Sequence, residues 1–321
     1  MHFLTSAPGG APRPAVICLG LSAMDYIWRV AAMPLSGTKV PAPEFIEMGG
    51  GLAATASVAA ARLGARSAFW GRAGDDPAGR ATRDELARYG VDVTNYRLFE
   101  GKRTSVSGVF VDASGERTVA NFRGAGLPLE PDWMPLGEVS KADSVLGDVR
   151  WPQGAAALFA AAREHGVPTV FDGDFADEAT FDMVLPHTDY AVFSEVGLAT
   201  IGAKGDAVTL LRRALSKGCR TAAVTRGPRG SLWLHEGKIR EFSAFTVDVV
   251  DTTGAGDVFH GAFAFAIGAG ADLAEAVTFS SAAAALKCAK AGGRPGIPDL
   301  ATTAAFLDRV GSLPEREPVS Q

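Results

Sequence analysis

Short apolar runs that alternate with helix-like stretches leave this chain few folds to adopt. Residues 15–21 (AVICLGL) form one such run, too apolar for a strand with a wet face and suited to one buried on both faces. Residues 53–63 are alanine-rich with helical spacing, and Gly64 follows where a helix commonly ends in a left-handed turn. A strand at 67–70 and a helix at 76–89, ended by Gly90, repeat the unit. Further strands are predicted at 144–149, 169–172, 190–193 and 221–225, with helices around 153–165, 177–185 and 206–217 between them. This spacing implies a parallel sheet covered by helices on both faces. The predicted class is therefore α/β, a three-layer α/β/α sandwich around a mostly parallel sheet.

Two stretches interrupt the alternation. Residues 104–111 and 117–122 flank a turn-rich loop, Asp112-Ala-Ser-Gly-Glu116, and residues 30–47 are extended and rich in Pro and Gly. Neither has a helix to cover it, so together they are expected to form a small accessory sheet. A second hairpin, 231–242, turns at Glu236-Gly237. Residues 1–14 read as a flexible tail, 15–310 as one domain with its small sheet drawn from about 26–48 and 103–123, and 311–321 as a C-terminal tail.

Composition narrows the function. With 47% apolar and 21% charged residues, the 321-residue chain has ample material for a core. Its net charge of −5 lacks the basic stripe of a nucleic-acid binder. The three cysteines (Cys18, Cys219, Cys288) are widely spaced and odd in number, which argues against a disulfide framework and for a reducing cytoplasm. No apolar run reaches the length of a membrane span, and the first residues lack the pattern of a signal peptide.

The strongest chemical signal is at residues 251–257 (DTTGAGD), directly before an apolar helical run. Gly254 and Gly256 let the backbone turn tightly, and the helix then begins with several unpaired N–H groups aimed at one spot. Such a turn suits an anion. Asp257 is odd as an anion ligand but sensible as a base: it can take a proton from a hydroxyl while the N–H groups hold charge on a phosphoryl group. The plainer reading is that Asp257 caps the helix. There is no G-x-x-x-x-G-K-[ST] sequence, and Gly20-Leu-Ser-Ala-Met24 after the first strand is not a G-x-G-x-x-G turn, so neither familiar nucleotide fingerprint applies. The five histidines show no metal-ligand spacing; His260, three residues past Asp257, is expected to pack within its helix.

Met48-Gly-Gly-Gly51 leading into a helix, then Gly71-Arg-Ala-Gly-Asp-Asp76, resembles the N-terminal signature of the ribokinase-type (PfkB) carbohydrate kinases. Residues 251–257 with Val258-Phe-His-Gly-Ala-Phe263 resemble their C-terminal signature, and Val224-Thr-Arg-Gly-Pro-Arg-Gly230 their nucleotide turn. The resemblance implies a ribokinase-like fold with a small β lid over a sugar, and phosphorylation of a hydroxyl by ATP with Mg²⁺. It implies Asp257 as general base and Gly254, Ala255 and Gly256 as a backbone anion hole. Asp25 would accept bonds from sugar hydroxyls beside Gly50 and Gly51, while Thr225, Gly227 and Gly230, with Ser194, would contact ATP. Two positions depart from the family pattern. Thr55 stands where Asn is usual, shortening any sugar contact, and Ser194-Glu195-Val-Gly197 replaces Asn-x-x-Glu, leaving Glu195 as the remaining carboxylate toward Mg²⁺. Asp251 and Thr253, with Gly292-Gly293, resemble a monovalent-cation (K⁺) site of some members.

Further strings, at 50–56, 148–151, 172–174, 193–195, 285–288 and 292–298, resemble the branch of this family that phosphorylates the C1 hydroxyl of 6-deoxy-6-sulfofructose. Lys39, Asn121 and Arg150 match that branch's sulfonate-binding positions. An ammonium, an amide and a guanidinium fork make a reasonable set for a monoanionic tail. The plain alternatives are a solvated lid lysine, a turn asparagine and an arginine paired with Asp148 or another acid. Fructose 6-phosphate, tagatose 6-phosphate, fructose and 2-keto-3-deoxygluconate remain competing substrates. A catalytically inactive regulator is disfavoured, because Asp257 persists inside an intact glycine turn. An uncovered lid face would suit pairing of two lids into a homodimer.

Overall fold

Alternate residues of the first strand enter different cores. In β1 (Ala15–Gly20), Val16 and Cys18 join one buried apolar cluster while Ile17 and Leu19 join another, so both faces of the sheet are covered. The helices Leu52–Arg62, Ala255–Gly268 and Leu273–Cys288 cover the first face; Pro152–Glu164, Glu178–Val184 and Ala207–Ser216 cover the second. This computed structural model describes residues 1–5, 13–114, 116–313 and 315–316; the remaining parts of both predicted tails, and Gly115 of the hairpin loop, lie outside the described residues.

The strands that follow are β2 (Ala23–Arg29), β3 (Glu44–Gly50), β4 (Arg66–Gly74), β5 (Tyr96–Phe99), β6 (Ser105–Val111) and β7 (Arg117–Phe122). After them come β8 (Ser144–Asp148), β9 (Thr169–Gly173), β10 (Tyr190–Ser194), β11 (Thr221–Thr225), β12 (Ser231–His235), β13 (Lys238–Phe242) and β14 (Glu315–Arg316). Ten of them form one sheet in the order β14-β13-β12-β11-β10-β9-β8-β1-β4-β5. From β11 to β5 every pair is parallel; β12, β13 and β14 add an antiparallel edge. The fold is the expected three-layer α/β/α sandwich around a mostly parallel sheet. Among the described residues no helix is long and apolar enough to cross a membrane.

The other four strands form a separate sheet, β3-β2-β6-β7. Its register sets Asp25 beside Ser107 and Ser107 beside Asn121, so these three share one face. The opposite face gathers aromatics: Trp28 lies 5.3 Å from Phe45 and 5.5 Å from Phe110, centroid to centroid. The stretch 30–47 is not a strand along its length. Strands occupy its flanks, Ala23–Arg29 and Glu44–Gly50, while Pro34, Pro41 and Pro43, which cannot donate to a ladder, fall in the connection or at its end. Asp25 consequently lies within β2.

The tail expectation also needs correction where it is described. His2–Thr5 is helical, and Phe3 is buried edge-on against Phe279 at 5.5 Å, because that side chain finds an apolar seat on the Leu273–Cys288 helix. At the other end, Glu315 and Arg316 pair with β13.

Candidate active site

The turn at 251–257 stands between two cavities. Gly254 adopts φ 74°, the left-handed region open to glycine, and is itself the N-cap of the Ala255–Gly268 helix. Asp257 therefore sits in the first turn without capping it, and the capping explanation fails. Ala255 and Gly256 line a largely apolar cavity of about 530 Å³, together with Thr225, Gly227, Gly230 and Phe259. Asp257 lines the other cavity, about 730 Å³, with Gly20, Asp25, Gly51, Ser107, Asn121 and Arg150. The first cavity has the apolar lining that suits a purine base, the second the polar lining that suits a polyol. Backbone donors and a carboxylate lie where the two come together.

The polar cavity opens at the carboxyl ends of β1 and β8, the usual place for a site in an open α/β sheet. Asp25 projects from β2 of the small sheet. A Cβ on Gly50 would lie 2.3 Å from its Oδ2, so only glycine at 50 leaves room for the carboxylate. Burial raises the Asp25 pKa, while Ser107 and Arg294 oppose that rise. Arg294 is itself buried and fixes this corner. It donates to the Gly50 carbonyl at 2.8 Å and pairs with Glu85 at 3.1 Å, while Glu85 accepts from the Gly49 N–H at 2.7 Å.

Acidic groups crowd beneath Asp257. Asp148 accepts N–H bonds from Leu21 (2.8 Å), Ala53 (3.1 Å) and Arg150 (2.8 Å). Burial first, then Asp172, Asp148 and Asp174, push the Asp257 carboxyl well above its ordinary range, with His260 opposing. Asp172 is raised too, by burial and by Asp148 and Asp174. His260 is buried as expected, yet its contacts are polar. Its Nδ1 lies 2.8 Å from the Gly256 carbonyl and 3.4 Å from Asp172, and its Nε2 lies 3.1 Å from the Val192 carbonyl.

The other predicted residues divide. Asn121 and Arg150 meet in the polar cavity. Arg150 is also the ion-pair partner of an acid, but of Asp174 (2.9 Å) rather than Asp148, whose carboxylate takes its backbone N–H. Lys39 is exposed in the 30–43 connection between β2 and β3 and does not line the cavity, since that segment forms no strand of the small sheet. Thr55 is buried against the turn, its Cγ2 3.4 Å from where a Gly254 Cβ would stand, and not in the cavity wall. Ser194 caps a short helix through the Gly197 N–H (2.9 Å) and lies 3.3 Å from Asp174; it lines neither cavity. Glu195 is bound by Arg229. Asp251 accepts from the Thr253 N–H (2.9 Å) and the Gly292 N–H (3.0 Å), which brings the predicted cation-site loops together.

Two cations at the site, Arg72 and Arg117, were not singled out from sequence, whereas Arg123, two residues past Asn121, is the further positive charge a phosphate tail would call for. Arg72 and Arg123 line the polar cavity; Arg72 lies 4.7 Å over the Trp151 ring, and burial lowers its pKa to about 10. Arg72 falls within the Gly71–Asp76 motif at the end of a strand, a position that could have flagged it. Arg117 reaches the Thr252 and Thr253 hydroxyls from the start of β7, a contact across 136 residues that no local pattern announces.

Residues 13–300 match the model of the pfkB family of carbohydrate kinases. The chain belongs to the PfkB family. It is 28% identical to a ribokinase of Haemophilus influenzae over 306 residues, 92% of this chain and 99% of that one. A fructokinase of Klebsiella pneumoniae is 35% identical over 227 residues, covering 65% of this chain and 74% of the other. Among solved structures, a protein from Agrobacterium tumefaciens superposes with a TM-score of 0.87 at 32% identity, over 93% of this chain and 99% of that one. Arabidopsis thaliana ribokinase, solved with ribose and ATP, gives a TM-score of 0.81 at 24% identity, over 92% and 99%. This PfkB chain is thus an ATP-dependent sugar kinase.

Proposed function

We propose that this kinase transfers the ATP γ-phosphoryl to the C1 hydroxyl of a ketose with an anionic tail, 6-deoxy-6-sulfofructose, giving the 1-phosphate. The observation that carries the reading is the donor set around one polar cavity: three cations, Arg72, Arg123 and Arg150, and the amide of Asn121 share its wall with Asp25 and Asp257. Asp25 would accept hydrogen bonds from sugar hydroxyls, Asp257 would take the proton of the attacking hydroxyl, and the Gly254 and Gly256 N–H groups would hold the transferring phosphoryl, the Ala255 N–H being given to the Thr252 carbonyl at 3.2 Å. ATP would lie in the apolar cavity. Mg²⁺ would come mainly on the ATP phosphates, as is usual for kinases, and supply charge neutralisation there. Glu195, already held by Arg229, fits an outer role at most.

The guanidinium of Arg150 donates to Asp174 and to the Phe175 carbonyl, which leaves further N–H donors for two sulfonate oxygens. Lys39 is dropped from the tail site. A sugar phosphate would use the same cations, and the Klebsiella relative's name keeps neutral fructose as the second reading. Steady-state kinetics on sulfofructose, fructose 6-phosphate, fructose and ribose separate these. Sulfofructose should lead fructose by at least ~100-fold in kcat/KM, the worth of two charged hydrogen bonds. Arg150→Ala should remove most of that advantage and leave fructose within a few-fold. Equal loss on both sugars would make Arg150 a structural partner of Asp174 and end the sulfonate reading.

The aromatic face of the small sheet supports pairing of two lids. Phe45 is 51% exposed at its edge. Light scattering should give twice the 33.3 kDa chain mass, and Phe45→Glu should return it to a single chain; an unchanged mass in the variant would place any contact elsewhere.

A further inference from the structure

We infer that Lys287 is a built-in cation of the phosphate-binding turn, and that this kinase therefore works without a bound monovalent metal ion. Lys287 lies in the last turn of the Leu273–Cys288 helix with its side chain wholly buried. Its Nζ donates to the Asp251 carbonyl at 2.8 Å and stands 3.6 Å from the Asp251 carboxylate. That carboxylate accepts the Thr253 and Gly292 N–H groups, and the Cys288 carbonyl accepts the N–H groups of Val250 (2.8 Å) and Asp251 (3.1 Å). Segments 250–253 and 287–292 are thus tied around one ammonium group, immediately ahead of the Gly254–Asp257 turn.

K⁺ is held by several convergent oxygens that replace its hydration shell. Here Asp251, which the family resemblance offers to such an ion, already has a positive charge on its carbonyl and beside its carboxylate. A second cation on the same oxygens would meet that charge at close range in a poorly solvated place. The residues present do not fit the ion; they fit its substitute. Burial lowers the Lys287 pKa, and Asp251 opposes this, which is the balance of a desolvated ammonium kept by its partner. Arg117, on the Thr252 and Thr253 hydroxyls, brings a second fixed positive charge to the same turn. Lys287 is a positioning residue: it holds the Asp251 backbone, and through it the direction of the anion hole. The inference rests on the kinase assignment and not on which sugar is used.

The test compares native enzyme in potassium, sodium and tetramethylammonium chloride at one ionic strength, reading both turnover and thermal unfolding. Turnover should agree within threefold and the unfolding temperature should show no rise specific to potassium. Potassium activation above threefold, or a potassium-specific rise, overturns the inference; failure to phosphorylate any sugar would instead overturn the substrate reading, with the unfolding data still deciding this one. Lys287→Ala should lose at least tenfold in turnover and regain part of it in potassium or ammonium chloride, whereas Lys287→Met, which fills the space, should not be rescued. A folded Lys287→Ala with native turnover and no cation response also overturns it, and if neither variant folds the native salt comparison decides alone.

Discussion

Replacing Asp257 by Asn should lower turnover by roughly 10²–10⁴ while leaving ATP affinity close to native. Asn keeps the shape of the side chain and cannot accept the hydroxyl proton. ATP affinity is spared because the apolar cavity is lined by Ala255 and Gly256, not by Asp257. The same substitution should raise thermal stability at neutral pH. The folded-state pKa of Asp257 is raised, so the folded chain binds this proton more readily than the unfolded one, and stability from the group is lost as pH rises through that raised value. Asn removes this cost, and its stabilising effect should shrink as pH falls and Asp257 takes up its proton. Catalysis runs the other way: turnover should rise with pH through the raised pKa, since the base acts ionised. A helix-capping aspartate would give the opposite stability result. Turnover within tenfold of native would remove Asp257 from the chemistry.

Local chemistry explains what the sequence made legible. The glycine turn before an apolar helix announces itself within seven residues, and the structure places its carboxylate and its N–H groups on two different cavities. Strands such as Thr221–Thr225 carry enough apolar character to be read directly, whereas Ala23–Arg29, with Asp25 and Arg29 among aromatics, does not look like a strand until β3 and β6 pair with it. What stayed hidden depends on distant partners. Arg294 reaches Gly50 across 244 residues, and Lys287 reaches Asp251 from a helix whose alanines read as plain core. Lys39 shows the converse limit. A matching residue type in a proline-rich connection says nothing of where the backbone carries it, and here it is carried away from the cavity. Thr55 faces the turn instead of the cavity for a related reason: its direction is fixed by how the Leu52–Arg62 helix packs on the Ala255–Gly268 helix.

Asp25→Ala should cut kcat/KM for the sugar by about 10²–10⁴, from two charged hydrogen bonds of ~1.5–3 kcal/mol each at 1.4 kcal/mol per tenfold. The loss should fall mainly on sugar KM, with ATP KM within a few-fold of native, because Asp25 lies in the polar cavity and the apolar cavity proposed for ATP is on the far side of the turn. Asp25 is costly to keep. It is held beside Ser107 at the junction of the two sheets, and burial raises its pKa, so the carboxylate contributes most once a sugar supplies hydroxyl donors. Gly50→Ala offers a second route to the same loss. The added methyl would stand 2.3 Å from Oδ2 and 2.9 Å from Cγ of Asp25, so the carboxylate must swing aside while every charge is retained. If both substitutions raise sugar KM in parallel, position rather than charge alone is what the Gly49–Gly51 turn protects. Sugar kcat/KM within threefold of native in Asp25→Ala would move the sugar out of this cavity.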